Sequence, residues 1–170
     1  MPRSFELTAE SPFPVASIHA AFRNETYWRA RLSKFDAGGP TLESLTTGTD
    51  GTTTVTMTLH FGVEQLPPPM NLLPGGALRI VQVESWRAGD DGILRGTINV
   101  DAPGAPVSGH GDLSVTPADG GSRMIGRGTV DVRVPLLGGT IAGFVAVQLA
   151  SGIREIHEFT DGWIAASGHT

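Results

Sequence analysis

The C-terminal part of the chain reads as one long helix with a broad apolar stripe, and whatever precedes it must be built to cover that stripe. Ile141, Phe144, Val145, Gln148, Leu149, Gly152, Ile153, Ile156, Phe159 and Trp163 recur at helical spacing, which predicts a helix from about Gly139 to Ala166. Gly143 and Gly152 lower its intrinsic propensity by roughly 1 kcal/mol each relative to alanine, so their expected use is a close approach by another part of the chain. Gln148 is a polar group in mid-stripe and calls for a hydrogen-bond partner, either a ligand or a strand carbonyl.

The same region must be tested as a membrane span, because Val134 to Ile153 carries no charged side chain. About 20 apolar residues suffice to cross a bilayer. Here Pro135, the pair Gly138-Gly139, Gly143, Gln148, Ser151 and Gly152 interrupt the run, and the helical pattern continues past Arg154, Glu155 and Glu158. A buried helix with no membrane span is the expectation.

Upstream, period-two alternation takes over. Phe5, Leu7 and Ala9 alternate with polar neighbours across residues 3–10 and predict a half-buried strand. Ser11-Pro12 offers a helix cap followed by proline, and Val15, Ile18, Ala21 and Phe22 fit a short helix to about Arg23. Asn24-Glu25-Thr26 resembles a second cap, with Tyr27, Trp28, Leu32 and Phe35 on a second short helix ended by Gly38-Gly39-Pro40. Strands follow over 41–49, 52–61, 78–87, 93–100, 107–116 and 122–134, separated by glycine turns such as Asp50-Gly51. Turns at roughly ten-residue intervals imply an antiparallel meander. The segment from Leu66 to Gly76 holds four prolines and must be a loop whose apolar residues need cover.

The fold class is therefore α+β: a curved antiparallel sheet of about seven strands wrapped around a long C-terminal helix, with two short helices after the first strand. Residues 1–170 suit one domain with a real core. A bent sheet gripping one helix leaves room for a cavity. Met57, Leu59, Ile98, Met124, Phe144 and Leu149 are the candidate lining residues, although any of them would equally suit a filled core. Glu84 is ambiguous. If Leu78, Ile80 and Trp86 face inward, so do Gln82 and Glu84; otherwise Val81, Val83 and Ser85 do, and Glu84 is solvated. An inward carboxylate in an apolar cavity should have a raised pKa and could anchor a ligand hydroxyl or act as an acid.

Composition narrows the chemistry. The formal net charge is -5 with no basic cluster, which argues against nucleic acid as a partner. There is no cysteine, which excludes disulfides, thiolate zinc sites and cysteine nucleophiles and suits the cytoplasm. The polar N-terminus, Met1-Pro2-Arg3-Ser4-Phe5-Glu6, lacks a signal-peptide core. His19 reads as a packed helix histidine, His60 as solvated on a threonine face, His157 as solvated between Glu155 and Glu158, and His169 as part of a frayed tail. His110 and Asp112 share a strand face among glycines, a surface pair or a general base with its carboxylate. No close histidine pair, P-loop or GxSxG elbow is present, so no cofactor or metal is expected.

The order of elements is similar to the helix-grip fold of the START and Bet v 1-like (SRPBCC) superfamily. More narrowly, Arg3-Ser4-Phe5, Tyr27-Trp28 with Arg31-Leu32, Glu84-Ser85-Trp86, Val134-Pro135-Leu136 with Gly138-Gly139, and Phe159 with Trp163-Ile164 resemble the actinobacterial domain-of-unknown-function family 2505. All but one of the 12 basic residues are arginine, as a GC-rich genome would give. Such proteins carry an acidic residue just after the position of Ile141; this chain has Ala142, so no carboxylate role carries over there. The resemblance implies a cavity for a small hydrophobic molecule, lipid-like or polyketide-like, with no activity attached. Ligand contacts are expected from Met57, Leu59, Glu84, Trp86, Ile98, Met124, Phe144, Gln148 and Leu149. The alternatives are a cyclase, dehydratase or hydrolase using Glu84 or His110/Asp112, or a homodimer joined through the proline-rich loop.

Overall fold

The alternating Phe5, Leu7 and Ala9 form strand β1 (Arg3–Ser11), which runs to a final pairing of Ser11 with Ser122. Ser11 is therefore strand, and it caps no helix. Its Oγ accepts from the Phe13 N–H at 3.1 Å and closes a bend, after which helix α1 (Val15–Phe22) starts without a side-chain cap. Helix α2 (Glu25–Lys34) begins as the sequence suggests, Asn24 Oδ1 accepting from the Thr26 N–H at 2.9 Å. These features belong to a computed structural model that describes residues 2–168; His169 lies outside the described residues.

Six further strands follow: β2 (Thr41–Thr47), β3 (Thr53–Phe61), β4 (Leu78–Ala88), β5 (Leu94–Asp101), β6 (Val107–Ala118) and β7 (Gly121–Val132). All pair antiparallel in the order β1-β7-β6-β5-β4-β3-β2, so the meander closes by bringing β7 back beside β1. The β2–β3 turn uses Gly51 at φ 84, and Asp50 accepts from the Thr52 N–H at 3.0 Å. Between β3 and β4 the proline-rich loop turns Leu66 and Leu73 inward, and Leu72 stays exposed. That loop uses its leucines to cover its own core.

Helix α3 (Gly138–Ser167) ends on Gly168 at φ 71, a left-handed cap that glycine supplies without strain. It packs against β1 and β7, with α1 and α2 at its C-terminal end. Among the described residues no helix is long and apolar enough to cross a membrane. No part of the chain lies within 4 Å of where a Cβ would project from Gly143 or Gly152. The close approach expected at those glycines is absent.

Two apolar clusters fill most of the interior. One joins Ile18, Phe22, Tyr27 and Trp28 of the short helices to Val55, Trp86, Leu94, Val115 and Ile164. Trp28 Nε1 donates to the Phe22 carbonyl at 2.7 Å, fixing α1 to α2. The other gathers smaller side chains, among them Ala102, Val130, Val132, Ile141 and Ala142, under Leu66 and Leu73. Ala142 is fully buried there, leaving no site for an acidic side chain.

Candidate ligand cavity

Between α3 and strands β4 to β6 lies a cavity of about 140 Å³. Its floor is made by glycines. Gly109 and Gly111 face inward from β6, and a Cβ on either would make only ordinary contacts, 3.5 Å to the Thr129 carbonyl and 3.6 Å to the Arg127 carbonyl. Gly152 of α3 lines the opposite wall. Side chains that would normally meet across a helix–sheet interface are missing on both sides, so the gap persists.

The rest of the wall is mainly apolar. Phe5, Ile98, Val100, Met124, Leu149 and Ile153 line it, and Trp86 closes one part by lying over Gly96. An added Cβ on Gly96 would come within 2.5 Å of the Trp86 ring.

One end is polar and buried. The sheet puts Glu84 on the inner face, pairing it with Ile98, and it is 1% exposed. Both of its oxygens accept from Arg31, Nη2 to Oε1 at 3.0 Å and Nη1 to Oε2 at 3.2 Å. Trp86 Nε1 donates to Oε2 at 2.8 Å. The Arg31 guanidinium also stacks over Trp28, 4.4 Å from the ring centroid. Burial disfavours charge on Arg31, but the Glu84 carboxylate outweighs it and holds the guanidinium above its ordinary pKa. Nearby, Thr160 Oγ1 donates to the Ile156 carbonyl at 2.8 Å, so the Tyr27 hydroxyl, 2.6 Å away, is the donor to Thr160. Burial pushes the Tyr27 phenol upward in pKa, keeping it a donor.

His157 completes this end. It is 2% exposed, and neither ring nitrogen has a hydrogen-bond partner. A buried polar group without a partner costs about 1–3 kcal/mol. The expectation that His157 is solvated therefore fails. The helix stripe drifts along its length, and by this turn the buried face carries His157, Thr160 and Ile164.

Of the residues expected to meet a ligand, Glu84, Trp86, Ile98, Met124, Gln148 and Leu149 stand on the cavity wall. Gln148 does so from an exposed position, so water can serve it and no internal partner is required. Met57 and Leu59 belong instead to the cluster built around Ile18, Phe22, Tyr27 and Trp28, and do not stand on the cavity wall. Phe144 is half-buried and does not reach the cavity. His110 and Asp112 point outward: His110 Nδ1 lies 2.6 Å from Asn99 Oδ1 and Nε2 lies 3.3 Å from Asp112, with both side chains largely exposed. His60 is exposed, and His19 is half-buried, its pKa lowered by burial and by Arg23. Neither Arg31 nor His157 stands out in the sequence as a site residue. Arg31 could have been found, since it follows Tyr27 and Trp28 at helical spacing on their buried face.

A curved seven-stranded sheet closed over a long C-terminal helix, with a cavity between them, is the helix-grip fold. The chain belongs to the family described as Protein of unknown function (DUF2505), whose model matches residues 6–164. Uncharacterised proteins of Mycobacterium bovis and Mycobacterium tuberculosis are 34% identical to it, over 96% of this chain and 98% of theirs. Among solved structures, TTHA0849 from Thermus thermophilus superposes with a TM-score of 0.58 at 14% identity, covering 98% of this chain and 99% of that one. Ara h 8.0201 gives 0.58 at 16% identity with the same coverage, 98% and 99%. At such identities these two show the fold alone.

Proposed function

We propose that the chain binds a small hydrophobic molecule in the cavity between α3 and β4 to β6, as a carrier or sensor. The observation that carries this is the thinly covered glycine floor: Gly109 and Gly111 line the cavity with nothing nearer than ordinary contact, on the inner side of a sheet where Gly96, Gly126 and Gly128 are packed over. Fold-level analogy points the same way. An apolar cavity near 150 Å³ accepts a molecule of about benzene size, so at about 140 Å³ this one takes a single ring. A lipid-like or polyketide-like ligand would require α3 to move off β4 to β6, strands it does not pack against closely.

Two catalytic roles open in the sequence have little support here. Glu84 accepts three hydrogen bonds and is bound to Arg31, which commits it as an acceptor. His110 and Asp112 lie on the outer face. With no cysteine and a net charge of -5, the reading is of a cytoplasmic protein whose partner is a small molecule.

The test is native mass spectrometry of protein purified gently from an actinobacterial host, with a Gly111→Leu variant whose side chain would fill the floor. A discrete adduct on the wild type that the variant loses supports the proposal. An apo mass that stays unchanged after exposure to a broad metabolite extract would overturn it.

A further inference from the structure

We propose that His157 anchors the head group of the ligand, and that the cavity selects a compact, neutral ring compound bearing a hydroxyl. This rests on the cavity being a binding site and goes on to name the chemistry it recognises.

Most polar groups at this end are already satisfied within the chain. Tyr27, Thr160, Arg31, Glu84 and Trp86 all have hydrogen-bond partners at the polar end. Among the described residues lining the cavity, His157 is the one whose buried polar atoms have none. A neutral imidazole presents one N–H donor and one bare nitrogen acceptor. Both nitrogens are closed to water in this orientation, and a half-turn of the imidazole exchanges them with ring carbons; once the ring turns to the cavity, a hydroxyl answers either nitrogen, donating to one or accepting from the other.

Charge narrows the choice. Arg31 and Glu84 neutralise each other on the same wall, so no uncompensated cation awaits a carboxylate or phosphate. An anion would also lie near the Glu84 carboxylate, and a cation near the Arg31 guanidinium. A neutral head group avoids both penalties. Size sets the remainder: a volume of about 140 Å³, walled by Ile98, Met124, Leu149 and Ile153, matches a single ring.

Phenol and benzene form the test pair, since they differ by the hydroxyl alone. Titrations followed by amide and imidazole nitrogen NMR would use wild type, His157→Leu and His157→Gln. The expected result is phenol binding at least tenfold tighter than benzene in the wild type, with the His157 ring nitrogens shifted by phenol and not by benzene. His157→Leu should bind both about equally, and His157→Gln should recover part of the preference. Should the leucine variant not fold, the ring-nitrogen shifts in the wild type still decide. Equal affinities with unmoved His157 signals, or a phenol preference that survives in His157→Leu, overturn this inference and leave the cavity reading intact. Binding of neither compound overturns both.

Discussion

Glycines occupy the inner face of two neighbouring strands, and the molecule treats them in opposite ways. On β7, along the flank where α3 rests on the sheet, Gly126 lies under Leu113 and Leu7, and Gly128 lies under the Phe5 ring. On β6, one strand over, Gly109 and Gly111 lie under nothing but the cavity. Polar groups divide in the same way. The packed flank holds a part-buried contact, Ser11 donating to Asp161 at 2.5 Å, whereas the open flank holds the fully buried Arg31–Glu84 pair. One residue type thus gives close packing on one flank and empty space on the other. What differs is whether a large side chain on the adjoining strand leans over it.

The strongest way to break this comparison is to unpair the charges on the open flank. Glu84→Leu leaves the Arg31 guanidinium buried without its carboxylate and removes the acceptor for Trp86 Nε1. The expected loss is about 3–5 kcal/mol of unfolding free energy, because the cost is that of a stranded charge. Denaturant unfolding would measure it. The double variant Arg31→Met with Glu84→Leu should recover most of the loss. If the single variant is nearly neutral, water already reaches this end.

The glycines give the sharper, smaller contrast. At Gly128 an added Cβ would sit 2.6 Å from Phe5 Cζ and 2.8 Å from the His110 carbonyl, and that backbone atom cannot step aside. Gly128→Ala should therefore cost about 1–3 kcal/mol through overpacking. Gly111→Ala meets only ordinary contact at 3.6 Å. It should be neutral or add up to about 1 kcal/mol, since alanine loses less backbone entropy on folding. Similar losses at both positions in thermal unfolding would show that the β6 floor is as tightly covered as β7.

How far the sequence carries this picture depends on how each signal arises. Element order was legible because period-two alternation and the helical stripe are local properties, and the glycine turns bound them. The side of Glu84 was not. Strand β4 has Val81 and Val83 on one face and Ile80 and Trp86 on the other, so alternation there has no sign until the sheet is assembled. Met57 and Leu59 share the inner face with the lining residues, but curvature of the sheet decides which element they meet, and no local pattern encodes curvature. His157 was hidden by its acidic neighbours in sequence. Its neighbours in space are set by positions three and seven residues on, Thr160 and Ile164, which are buried.

The smallest expected effect lies on the packed flank, at Asp161. Burial raises its pKa above 3.8, and Glu158 adds to this, while the Ser11 hydrogen bond and His157 oppose it. A carboxyl whose folded pKa is raised holds its proton more firmly in the folded state. Its contribution is therefore most favourable below the unfolded value and is lost as pH rises through the folded one. Asp161→Asn keeps an oxygen to accept from Ser11 and removes the ionisation. The variant should match the wild type below about pH 3.8 and gain on it as pH rises towards neutral. The gain should be slight, because solvent screens a group this exposed. Urea unfolding of both proteins across that range measures the difference. A variant that instead falls behind the wild type as pH rises would mean that Ser11 and His157 outweigh burial, making the contact on the packed flank a stabilising ionic one like the pair on the open flank.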